Sequence, residues 1–155
     1  MKTALTLTTL ATLSLAALTA LGGPAAKPER HVTPADLSWV QPYGPKGPAF
    51  GFVEGQFNDK KPASLFIKMA AGADSGWHFH DETYTAVVIQ GAFSEQQAGE
   101  KAEVALPAGS YFTQPGKAIH RNGCAKGTDC VVYIHFDAGA NSVPTTREGK
   151  VISQK

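Results

Sequence analysis

Residues 72–91 read GADSGWHFHDETYTAVVIQG, and how this stretch folds decides what the rest of the chain can be. His78 and His80 are two residues apart in a segment of strand-like composition, and side chains alternate along a strand, so both imidazoles fall on one face of a sheet. From Tyr84 onward, YTAVVIQ has the β-branched and aromatic content of a second strand, with polar turn residues before it and Gly91 after it. Two neutral imidazoles on one face make half a metal site. A third donor must come from farther along the chain.

Composition limits the alternatives. The 155 residues suffice for one domain with a real core and are too few for two ordinary ones. Lys+Arg number 14 and Asp+Glu 13, so the formal charge is +1 and no field exists to attract a polyanion, which argues against nucleic acid as a partner. The 16 Gly and 10 Pro are scattered between short apolar runs, as in a chain of many short strands joined by turns.

The first segment reads as a cleaved signal peptide over residues 1–22. Lys2 gives a positive start, an uncharged run of Ala, Leu and Thr follows to Leu21, and small residues at Ala20 and Gly22 offer a cleavage site. The expected location is periplasmic or secreted, with no stable membrane insertion after cleavage. In that oxidising setting Cys124 and Cys130, which flank the turn-forming residues AKGTD, are expected to form a disulfide that closes a hairpin.

Residues 23–36 read as a Pro-rich linker, in which His31 is a solvated residue. Strands are predicted at residues 37–40, 49–54, 64–70, 76–80, 84–90, 92–95, 103–106, 110–114, 118–122 and 130–136. No long helical period appears before Asp137, so the chain is all-β. Strands at such spacing suggest a sandwich or barrel spanning residues 37–138, and residues 139–155, polar and turn-rich, are expected to be a loose tail.

The third histidine is His120, in a strand after the Pro115-Gly116 turn and inside PAGSYFTQPGKAIHRNGC. At these residues the chain resembles the cupin superfamily. That superfamily's first motif is G, five residues, HxH, three or four residues, E, six residues, G, and it is matched by Gly72, His78, His80 and Gly91. The second motif is G, five residues, PxG, two residues, H, three residues, N, and it is matched by Gly109, Pro115 and His120. The resemblance implies a jelly-roll β-barrel of a single domain, with a divalent metal inside held by His78, His80 and His120. Fe, Zn, Ni or Mn would each suit such ligands.

Three positions depart from the motifs. The metal-binding Glu falls on Tyr84, the glycine after the proline on Lys117, and the asparagine on Cys124. Tyr84 is open to three readings, as a weak ligand, as a hydrogen-bond donor to a bound substrate or water, or as an interior aromatic, and the second is favoured. Glu82 and His135 are assigned to the ligands' surroundings or the cavity, with a solvated turn carboxylate the plainer reading for Glu82. Trp77 and Phe79 should point away from the metal. Three neutral imidazoles leave the ion's charge whole, which makes it a stronger Lewis acid and a better host for anionic oxygen.

Two function classes follow. One is an exported metal-dependent enzyme, a dioxygenase-like oxidoreductase acting on a small oxygen-rich substrate. The other is a periplasmic module that binds a metal or small ligand without turnover. By resemblance, a homodimer is the expected assembly.

Overall fold

Short extended runs form eleven strands and, among the described residues, no α-helix. The computed structural model of the chain describes residues 28–153, so the signal-peptide expectation lies outside the described residues. The chain divides into an N-terminal unit ending at His31, which is exposed as expected, and a β-domain that begins at Val32. A single turn of 3-10 helix, Pro34–Asp36, opens the β-domain, with the Asp36 carboxylate accepting from the Thr33 backbone N–H at 2.7 Å.

The strands are β1 (Trp39–Val40), β2 (Ala49–Glu54), β3 (Ala63–Met69), β4 (His78–Phe79), β5 (Tyr84–Gln90) and β6 (Ala92–Gln97). They continue with β7 (Val104–Pro107), β8 (Tyr111–Gln114), β9 (His120–Cys124), β10 (Cys130–Phe136) and β11 (Val143–Pro144). A six-stranded sheet has the order β1-β2-β3-β10-β5-β8, and a five-stranded sheet the order β11-β4-β9-β6-β7. Each ladder is antiparallel, and the two sheets form the jelly-roll sandwich that the motifs imply.

Between the sheets lies one apolar core. Leu65 of β3, Val88 of β5, Phe93 of β6 and Val132, Ile134 and Phe136 of β10 are all buried in it. The phase of β10 settles where His135 points. Val132, Ile134 and Phe136 face inward, so Val131, Tyr133 and His135 lie on the outer surface of the sheet. There Tyr133 packs edge-on against Phe66, and His135 Nδ1 is 2.8 Å from Ser64 Oγ. The Sγ atoms of Cys124 and Cys130 are at bonding distance, 2.11 Å.

The domain runs past Asp137, which corrects the expected loose tail. Val143 and Pro144 pair with Phe79 and His78, and Thr145 bridges Val151. Ala140 and Thr145 are buried. The reason is an open edge. Strand β4 has β9 on one side, and without β11 its other row of backbone groups would be left unpaired. Arg147 secures the connection by donating to the Ala98 and Glu100 carbonyls at 2.9 and 2.7 Å while its guanidinium lies 5.2 Å from the Trp77 ring.

Candidate metal centre

Two strands and the residue that follows one of them bring the histidines together. His78 is on β4, directly opposite His120 on β9, and His80 follows two residues after His78 on the same face. All three are buried, His120 completely. One nitrogen from each lies within 4.8 Å of the other two.

The other ring nitrogens fix the tautomers. His78 Nδ1 donates to the Gly76 carbonyl at 2.9 Å, His120 Nδ1 to the Ala118 carbonyl at 3.0 Å, and His80 Nδ1 to the Asn141 carbonyl. A carbonyl oxygen can only accept, so each Nδ1 carries the proton and each Nε2 presents a lone pair. His120 Nε2 is buried without a hydrogen-bond partner. An orphaned acceptor beside two further imidazole lone pairs is costly in a closed protein and is what a cation would satisfy. The donor set fits a divalent transition metal.

Burial also holds the rings neutral. It lowers the pKa of His78, takes His80 down to about 3 and His120 down to about 2, with the neighbouring His78 adding to the effect on the other two. Imidazoles kept neutral at ordinary pH are ready to ligate.

Turn geometry supports this arrangement where the motif departs from its usual glycine. Lys117 adopts a φ of +65°, the left-handed conformation that the motif glycine would supply, and its N–H donates to the His80 carbonyl at 2.7 Å. Its ammonium pairs with Asp81. Gly116 is required by close approach, since a Cβ there would meet the Asp81 carbonyl oxygen at 2.7 Å.

Tyr84 stands on β5 with its ring 5.0 Å from that of His80 and 6.3 Å from that of His120. It is almost fully buried, and burial followed by the nearby Glu95 carboxylate raises its pKa far above the ordinary phenol value. The hydroxyl therefore keeps its proton. Glu82 is exposed in the turn before β5, away from the imidazoles, and His135 lies outside the sheet. Neither lines the cavity, which corrects the place assigned to them. Trp77 and Phe79 point away, as expected, with Arg121 5.4 Å from the Trp77 ring and Lys117 Nζ 5.7 Å from that of Phe79.

Glu95 is the ionisable residue that the sequence did not single out. On β6 it lies opposite Asn122, and Gln97 lies opposite His120, which turns both side chains inward. Gln97 Nε2 donates to the Glu95 carboxylate and, at 2.9 Å, to Gln114 Oε1. Burial raises the Glu95 pKa. The family motif places its acid at position 84 on the six-stranded sheet, whereas Glu95 stands on the five-stranded one.

A cavity of about 170 Å³ opens in front of His78, His80 and Tyr84. Ser75, Asn122, Ser142 and Tyr43 add polar side chains to its lining, and Phe50, Ile67, Met69, Phe93 and Ile134 form most of the remainder.

Comparison with known proteins agrees with this architecture. The family described as Domain of unknown function (DUF4437) matches residues 30–146. No curated protein matches the chain by sequence. Among solved structures, an RmlC-like cupin protein from Ralstonia eutropha JMP134 superposes with a TM-score of 0.63 at 16% identity, over 80% of this chain and 76% of its own. KdgF from Halomonas sp. gives 0.56 at 21% identity, over 71% and 94%. The DMSP lyase DddQ from Ruegeria pomeroyi DSS-3 gives 0.62 at 18% identity, over 75% and 64%. At these identities the likeness establishes the cupin fold alone.

Proposed function

We propose, for a chain that belongs to the DUF4437 family and folds as a cupin, that His78, His80 and His120 hold one divalent metal ion and that the site is catalytic, an oxygenase acting on a small oxygen-bearing molecule. One observation carries the reading. Every Nδ1 is committed to a backbone carbonyl, so three Nε2 lone pairs converge and the one on His120 has no other partner. When bound, the ion supplies a Lewis-acidic centre whose charge three neutral ligands leave uncompensated.

The chain's own residues supply a hydrogen-bond donor and exclusion of water. Tyr84 keeps its hydroxyl proton and donates it as a hydrogen bond to a bound substrate or water. Glu95 stands behind the cavity wall and acts on the site through Tyr84, whose proton its nearby carboxylate helps to retain, and Gln97, itself held by Gln114, fixes the direction of that carboxylate. The apolar walls of the cavity keep bulk water from the histidines.

We extend the proposal to export and a disulfide. A targeting-like first 22 residues and two Sγ atoms at bonding distance both suit folding outside the reducing cytosol. Two free thiols in the purified exported protein would contradict it.

The test is metal analysis of the purified protein followed by oxygen-uptake screening with phenols, diketones and thiols. The expected result is one divalent ion per chain and oxygen consumption that Tyr84→Phe lowers without loss of metal. A full complement of metal with no turnover across a broad panel would overturn the enzyme reading in favour of a binding module.

A further inference from the structure

The cavity in front of the histidines is lined by few polar and many apolar side chains, and that balance limits what can enter. Beside His78, His80 and Tyr84 it is lined by the uncharged polar side chains of Ser75, Asn122, Ser142 and Tyr43, and by the apolar Phe50, Ile67, Met69, Phe93 and Ile134. Among the described residues that line it there is no Lys, Arg, Asp or Glu. A hydroxyl-rich or multiply charged ligand would therefore lose hydration against carbon and find no partner there. An apolar body gains from the same walls. Size narrows the class further, because a dry cavity of about 150 Å³ accommodates a benzene ring and this one has a volume of about 170 Å³.

We propose that the site takes a small aromatic monoanion, of the size of a phenolate or benzoate, with its oxygen toward the histidines and its ring against Phe50, Ile67, Met69 and Phe93. This rests on the metal reading above. With no cationic side chain lining the cavity, a metal held by the three imidazoles is the counter-charge available to the anionic oxygen. Sugar acids and tricarboxylates, whose polar groups extend over the whole molecule, are the class the walls reject. Asn122 adds selectivity. Its Nδ2 is buried without a partner, so a ligand that brings an acceptor to it gains a hydrogen bond that the empty cavity does not offer.

The experiment is a calorimetric titration of zinc-loaded protein with benzoate, phenol, glucuronate and citrate, with zinc content measured on every sample. The expected result is at least 10-fold tighter binding of benzoate and phenol than of glucuronate and citrate. Ile67→Phe, which adds bulk to the apolar lining, should weaken benzoate at least 10-fold while zinc stays at one per chain. The wild-type comparison decides the question even if the variant does not fold. Full zinc with glucuronate or citrate bound as tightly as benzoate overturns the ligand class and leaves the metal reading standing. Failure to retain zinc overturns the metal reading, and the ligand class with it.

Discussion

The stretch from residue 72 to residue 91 and the stretch from residue 138 to residue 152 hold the same site by different means. The first contributes side chains: one imidazole on β4, a second just past its end, and the phenol at the start of β5. The second contributes backbone. Its Asn141 carbonyl accepts from His80 Nδ1, and its Pro144 lies opposite His78 in the ladder that completes β4. Ligand identity is thus a matter of side-chain chemistry, and ligand orientation a matter of where main-chain oxygens fall. Both are needed, because an imidazole in the wrong tautomer presents a proton where it should present a lone pair.

The largest effect should come from the side-chain half of the site. His120→Ala should reduce bound zinc from one per chain to none in elemental analysis, and stoichiometric zinc in this variant would refute the three-ligand arrangement. Next is the backbone half. A chain ending at Ala138 keeps every imidazole but loses the Asn141 carbonyl and β11, and its zinc affinity in competition with a chelator should fall roughly 10–100-fold. Unchanged affinity would mean that orientation is set elsewhere.

The histidines were legible because their chemistry resides in residue type and spacing. His78 and His80 share a face by alternation alone, and the second motif brought in His120. The rest depended on pairing. In β10 both rows of side chains are largely apolar, so the letters Val131, Tyr133 and His135 do not say which row faces the core; pairing with β3 and β5 does. Glu95 became visible only through the register that sets it opposite Asn122. Residues 139–155 carry no strand signal of their own, and Val143 and Pro144 become a strand because β4 has an open edge. The substitution at Lys117 leaves the turn intact, its side chain tolerating a backbone conformation that glycine adopts more easily.

Acid sharpens the comparison by acting on the imidazoles while leaving the carbonyls unchanged. Unfolded histidines titrate near 6.5, while His80 and His120 in the fold do so at about 3 and about 2. Below about pH 6.5 the unfolded chain therefore takes up protons that the folded chain refuses. Stability of the metal-free protein is expected to fall as pH drops from there toward 3, at up to about 1.4 kcal/mol per pH unit for each imidazole. Urea midpoints across that range check this, and a flat profile would contradict the burial of neutral rings. Bound zinc should dissociate over the same acidic range as protons compete for the ligands.

The smallest effect should come from Arg147→Ala, which removes the clasp between the C-terminal segment and the turn after β6. A loss of about 1–2 kcal/mol in thermal or urea unfolding is expected, from two charge-assisted hydrogen bonds that are exposed. Zinc affinity should change little, since β11 remains paired.

X-ray absorption at the zinc edge of the loaded wild-type protein tests the central claim most directly. Three imidazole nitrogens at about 2.0–2.1 Å are predicted, together with one or two oxygen scatterers. A zinc bound through sulfur, or by fewer than three imidazoles, would contradict it.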